Sequence, residues 1–513
     1  MPPRSWGIAG RLAAAGGLAL LALSVVRLVE LHALRTAATF PPELRRQERE
    51  LDLSAKSWPE AFGALCADLA ARYPFTAWKG IDWRERCAAA APRIAAAAAR
   101  HDARSYYRAL RELAWSVPDG HVDLLGDDLG LESQETGGDF GLRLVQLDDG
   151  RVVACQVSAG GAAERAGLRY GAELLSWNGT PIEQALARTP VLWADWPPAT
   201  AAARRAGQLR FLARAPAGAR AAVTFRNRGG GRPVPATLAA ASAPRRRGAQ
   251  EAGKAGQGAR EPAVEAAPAP PCEGGNRARF GLGQALAGGA VDWRWLAAGA
   301  GYIRIRYELP TLRQVDPARE VRRAVASFLD RHAQGIVLDV RGNSGGLDVM
   351  VPRAIGCFVA APRIYEIPAV FDPAAGGFLA FPAAAVRALP SPPRFPGRVA
   401  VLIDGCTMSS GEGFPLALRG QPGVAVFGFT ATAGFFAIGQ RPIRLPGDLT
   451  FVVPVGRSLG ADGRIQVDSD AGGRGGVAPD HRLRWTEATL DAVYRDHRDP
   501  VLEEALRWLK SGS

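Results

Sequence analysis

Twice in this chain an apolar run that can only be buried as a strand stops at a glycine-rich turn and resumes with helical spacing. The first stretch is GIVLDVRGNSGGLDVMVPRAI, from Gly335 to Ile355, and the second is VAVLIDGCTMSSGEGFPLAL, from Val399 to Leu418. Such runs fit a sheet covered on both faces, so the two read as adjacent strand-turn-helix units of one α/β layer. Open sheets of this kind place their sites at the edge where the strands end, and both turns would lie there. In the first turn, Gly342 to Gly346, the backbone can approach a substrate closely. The second holds Ser409 and Ser410 just before a helix, whose free N–H groups and dipole could stabilise an oxyanion.

The rest of the 513 residues is too long for one core, so several domains are expected. The net charge of +13 raises nucleic acid as a partner, but the excess is almost all arginine and is scattered. No aromatic-basic stripe or finger motif accompanies it, so nucleic-acid binding is set aside. Residues 1–40 carry Arg4 and Arg11, the apolar run Leu12 to Val26, then Arg27. That is the outline of a signal peptide, or of a retained anchor holding the chain to a membrane through residues 7–28. Export is therefore expected, to the periplasm or to the periplasmic face of the inner membrane. The six cysteines have no CxxC spacing and no histidine companions, so neither a metal site nor a cofactor is expected. Cys66 and Cys87, on neighbouring predicted helices, read as a disulfide or as two buried thiols, and Cys406 as a packing residue.

Residues 41–125 read as a helical domain, with Asp82 and Asp102 as caps, ending in the turn Pro118-Asp119-Gly120-His121. Residues 137–240 are β-rich, and GGAAERAGLRYGAELLSWNGTPI within them resembles a PDZ domain. That likeness makes the backbone of Phe140, Gly141 and Leu142 the expected dock for a peptide's terminal carboxylate. Residues 241–276 have almost no large apolar side chains and read as a linker without structure. Residues 277–513 are the α/β core.

The paired motifs LDVRGNSGG and DGCTMSSGE, with YPFTAWKGIDW before them and GGVAPD after, resemble the C-terminal processing (tail-specific) and tricorn-core serine peptidases. The resemblance implies a crotonase-like α/β core and hydrolysis of peptide bonds in protein or peptide substrates, with the PDZ domain assisting recognition. It selects Ser409, three residues before Glu412, as nucleophile. The N–H groups of Ser410 and Gly345 become the oxyanion donors. One branch of these enzymes pairs the serine with a lysine, but the chain's four lysines (Lys56, Lys79, Lys254, Lys510) stand nowhere near the matching position, where Gly434 lies. A histidine must then take the proton. In the tricorn-like branch it comes from a DGH turn, which His121 matches. The orienting acid falls in DGRIQVDSD, giving Asp468, with Asp470 in reserve; Asp119 and Asp123, beside the histidine, stay open. Two other classes remain: a catalytically silent peptide- or ligand-binding scaffold on the same fold, and a PDZ-bearing envelope adaptor.

Overall fold

The computed structural model describes residues 46–242 and 289–511, except 298, 312, 313 and 315. The expected signal or anchor segment and most of the expected linker lie outside the described residues. After a short strand at Leu51–Asp52, three helices follow: α1 (Trp58–Arg72), α2 (Trp83–Ala99) and α3 (Ala103–Ser116). Their starts are set by side chains that satisfy orphan backbone donors. The Glu60 carboxylate accepts the Ser57 N–H, Asp82 accepts that of Glu85, and Asp102 that of Ser105. A disulfide joins Cys66 on α1 to Cys87 on α2, so the two residues are not separate buried thiols. Phe62, Leu65, Ile94 and Leu110 share a core with Ile443, Phe451 and Val453, so the helices are seated on a sheet of the α/β region.

The PDZ-like region is an antiparallel sheet of β1 (Leu142–Gln146), β2 (Val152–Val157), β3 (Glu173–Trp177), β4 (Arg220–Arg226) and β5 (Val234–Ala239), in the order β5-β4-β3-β2-β1. Helix α4 (Ala201–Leu212) packs beside β1, at the sheet's end. Its outer face meets the C-terminal segment: Val145 and Cys155 pack with Trp485, Leu490 and Val493, and Glu487 pairs with Arg151 and Arg228. Two residues assigned above to the linker, Ala241–Ser242, are instead a strand paired with Gly138–Asp139, because backbone pairing needs no apolar side chain.

Two sheets follow in chain order: β6 (Val291–Trp295), β7 (Ala300–Ile305), α5 (Pro317–Asp330), β8 (Gly335–Asp339), β9 (Arg363–Asp372), β10 (Gly377–Ala380), β11 (Arg398–Leu402), α6 (Gly413–Leu418), β12 (Val424–Gly428), β13 (Ile438–Leu445), β14 (Leu449–Leu459) and the final helix α7 (Pro500–Lys510). The first sheet runs β6-β7-β8-β11-β12 and ends on His481–Arg482; all its pairs are parallel except β6 with β7. Every residue of β8 is buried, as its uninterrupted apolar run demands. One face packs against α5, with Val325 and Phe328 in the core, and the other against α7, with Val501, Leu502 and Ala505. In the second sheet β13, β14, β9 and β10 are successive neighbours, and Asp123–Leu125 joins β14. That last pairing carries the turn before it, with His121, onto the α/β core. The observed architecture is the α/β core with a helical N-terminal region and a PDZ domain that the motifs imply.

Candidate active site

Strands β8 and β11 are parallel neighbours, Gly335 opposite Arg398 and Asp339 opposite Leu402, so the turns that follow them meet. Hydrogen bonds lock the two together. The Asp404 carboxylate accepts the N–H groups of Gly342 (2.9 Å) and Cys406 (3.0 Å), Thr407 Oγ1 donates to the Val340 carbonyl (2.9 Å), and Met408 N–H to that of Asn343 (2.9 Å). Gly411 must be glycine, since a Cβ there would lie 2.6 Å from Asn343 Oδ1. Cys406 is not simply a packing residue, because its sulfur is disulfide-bonded.

Ser409 sits at this junction with φ of +51°, in the left-handed region that L-residues seldom adopt. The bend turns its Oγ out of the strand line and leaves it half-buried. Ser410, by contrast, is buried and its hydroxyl is engaged by the Gly346 carbonyl and the Asp348 carboxylate. Of the two serines, only Ser409 faces a base: its Oγ is 3.0 Å from His121 Nε2, across 288 residues of sequence. His121 is 7 % exposed and the Phe435 ring stands edge-on to it at 5.0 Å. Gly120 makes room for that ring, since a Cβ would come within 2.4 Å of it. Phe435 is held in turn by Glu412, whose buried carboxyl group accepts the N–H groups of Gly434 and Phe435 and the Thr432 hydroxyl. Burial pushes that carboxyl up to about 8, against those three donors. Glu412 is an acceptor that shapes the wall over the histidine.

The carboxylate in contact with the His121 ring is that of Asp119, one of the two acids left open beside the histidine, and not that of Asp468. Asp119 Oδ1 lies 3.5 Å from His121 Nδ1 and accepts the His121 backbone N–H at 2.9 Å; Oδ2 accepts the Tyr73 hydroxyl at 2.7 Å. Asp119 is fully buried, which by itself would raise its pKa. The hydrogen bond from His121, with the charges of Lys79 and His121, holds it down at about 2. Asp468 lies in the same buried cluster, but its Oδ2 accepts the Phe436 N–H and its Oδ1 is 3.9 Å from Lys79 Nζ. Burial, and the neighbouring Asp119 charge, raise Asp468 to about 7 against the pull of Lys79. The reserve, Asp470, ties down its own hairpin through Gly472 and Arg474, and Asp123 caps Leu124.

Lys79 is the residue the sequence hid. It is 4 % exposed and donates to the carbonyl and the hydroxyl of Ser469, both at 3.0 Å, so its ammonium group is held within the acid cluster. Its one signal was rarity: a lysine in a chain whose cations are nearly all arginine.

Of the two expected oxyanion donors, the Ser410 N–H has no acceptor among the described residues. The Gly345 N–H does not point free: it donates to Asn343 Oδ1 at 2.8 Å, because Asn343, itself tied to the Ile305 carbonyl and Glu308, closes the turn locally. Gly345 still packs on Ser409, a Cβ there falling 2.7 Å from the Ser409 Cβ, and the next amide, Gly346, has no acceptor among the described residues. Two amides of the expected peptide dock are engaged within the domain: Phe140 N–H donates to the Ala213 carbonyl (3.3 Å) and Gly141 N–H to Asp139 (2.7 Å), while Leu142 stands opposite Val157 in the sheet. Phe140 is buried edge-on against Trp177. Among the described residues no group of side chains has the makeup of a metal site.

Comparison with known proteins agrees with this architecture. Residues 299–483 match the family model described as peptidase family S41, and residues 129–191 that of the PDZ domain. No curated protein matches the chain. Among solved structures, mature CPAF complexed with lactacystin is similar over 90% of this chain and 98% of its own, at 14% identity and a TM-score of 0.56. Mature CPAF is similar over 89% and 97%, at 15% identity and 0.56. The fold and the two family models define the class of its parts: an S41-type peptidase region over residues 299–483 and a PDZ domain over residues 129–191.

Proposed function

We propose that the chain hydrolyses peptide bonds of protein substrates through Ser409 as nucleophile, His121 as general base and Asp119 as the residue that orients the imidazole. The observation that carries this reading is the 3.0 Å contact between His121 Nε2 and the Oγ of a serine in left-handed backbone. His121 takes the Ser409 proton as Oγ attacks the carbonyl carbon, then returns it to the leaving amine. Asp119, ionised and buried behind the ring, favours the tautomer with its proton on Nδ1 and stabilises the imidazolium that forms. The N–H of Ser410, with that of Gly346 beside it, supplies the oxyanion donors; one such donor is worth about 3 kcal/mol of barrier. The test is hydrolysis of an unstructured protein by the full chain and by Ser409→Ala and His121→Ala. Each variant should lose nearly all activity and the double variant should be little worse, since the two act as a unit. Robust hydrolysis by His121→Ala would remove the assignment.

The enzyme works after export, on this reading. The outline of residues 1–40 supports it, and so does the Cys66–Cys87 disulfide, which an oxidising compartment preserves. A fusion to a reporter active only outside the cytoplasm should report export; activity of a cytoplasm-only reporter would overturn it. The PDZ domain assists recognition on this reading, but not through the amides of Phe140 and Gly141, which are engaged within the domain.

A further inference from the structure

Apart from the catalytic residues, the surface holds a cavity of about 620 Å³ lined by Trp78, Phe378, Leu459 and Ile465 together with Arg457 and Arg464. Arg457 gives its Nε–H to the Pro74 carbonyl and lies 4.3 Å over the Phe378 ring; Arg464 is exposed, and no side-chain bond holds it. Among the described residues no carboxylate lies within ion-pairing distance of either. The nearest acid along the chain, Asp462, spends Oδ1 on the Arg464 backbone N–H. Burial drives Arg457 below its ordinary value, the cost of a cation without a partner. The cavity is also wired to the catalytic cluster. Trp78, 39 % exposed, donates Nε1–H to the Asp468 carbonyl at 3.1 Å and is followed in sequence by Lys79.

We infer that this cavity is a substrate subsite that takes a carboxylate-bearing segment of the peptide, its acid group between Arg457 and Arg464 and its apolar atoms against Trp78 and Phe378. The inference rests on the peptidase reading and names the kind of substrate that site would select. Guanidinium forks suit carboxylates geometrically, and a partly buried fork without an internal acid is already desolvated for one. Aromatic walls beside it fit peptide side chains better than a small free anion.

Binding is measured on the full-length Ser409→Ala chain, so that failure to hydrolyse anything would count against the peptidase reading alone. A labelled peptide rich in Asp and Glu is compared by fluorescence polarisation with its Asn/Gln isostere, each with a free and an amidated C-terminus. The acidic peptide should bind about tenfold more tightly than the isostere, the scale of one buried charge-assisted contact. Arg464→Gln added to Ser409→Ala should remove most of that advantage and leave binding of the isostere unchanged. Loss on amidation alone would assign the carboxylate to the peptide terminus; loss on Asn/Gln replacement would assign it to side chains. Should Arg457→Gln unfold the protein by freeing the Pro74 carbonyl, Arg464→Gln still decides, because that side chain holds nothing in place. Equal binding of all four peptides, or an acidic preference untouched by Arg464→Gln, would overturn the inference.

Discussion

Ser409 is the residue on which the site turns, and its backbone explains how. A non-glycine residue at φ of +51° is strained, and the strain persists because Asp404, Thr407 and Asn343 fix the turn on both sides. The same bend puts Oγ in reach of His121 while the neighbouring Ser410 hydroxyl is turned inward. At this scale Asp119 and Asp468 make opposite predictions. Asp119→Asn should lower kcat by at least about a hundredfold, since the histidine loses its ionised partner, whereas Asp468→Asn should cost less than about tenfold. Steady-state kinetics on one peptide substrate check both; a larger loss in Asp468→Asn would restore the acid chosen from sequence. Gly120→Ala should be costly out of proportion to one methyl group. Its Cβ would meet the Phe435 ring at 2.4 Å, and the overpacking should destabilise by about 1–3 kcal/mol and shift the histidine, seen as a lower Tm with reduced kcat.

Among the elements, the two strand-turn-helix units could be read from sequence because their signals are local: uninterrupted apolar runs, then clustered small residues. His121 is marked in the sequence by its DGH turn. What could not be read was burial. Asp119 in PDGH looks like an ordinary turn residue until α3 and β14 place it at 0 % exposure behind the imidazole. Asp468 stands in the expected stretch, yet the backbone there turns its carboxylate to Phe436 and Lys79. Gly345 was expected to offer its N–H, but the Asn343 side chain two residues earlier takes it, a local competition that glycine content alone does not reveal. The Asp468 environment also predicts a pH effect. A carboxyl raised from 3.8 to about 7 contributes stability that is complete below pH 3.8 and is lost as pH rises through 7. Denaturant unfolding from pH 4 to 8 should show Asp468→Asn losing less stability than the wild type over that window; parallel curves would contradict the protonated state. The α1–α2 pair carries its own prediction. Its disulfide closes a separation of 21 residues, so Cys66→Ser with Cys87→Ser should lower stability by about 3 kcal/mol in the chain-entropy picture.

At the scale of the whole molecule, the proposed catalytic pair is split between regions that lie far apart in sequence. The proposed base, His121, comes from the turn that closes the helical region, and the proposed nucleophile, Ser409, from the edge of the α/β sheet. They meet because Asp123–Leu125 pairs with β14 and the helices share a core with β13 and β14. An adaptor or a silent scaffold would have no need to hold a histidine in hydrogen-bonding range of a strained serine across that seam. The measurement that tests this most directly is reaction of the native chain with a fluorophosphonate, followed by mass spectrometry of the intact protein and its peptides. We predict one adduct, on Ser409, that forms rapidly in the wild type and is nearly absent in His121→Ala. A wild type that remains unlabelled, or a His121→Ala variant labelled on Ser409 at the same rate, would contradict the account.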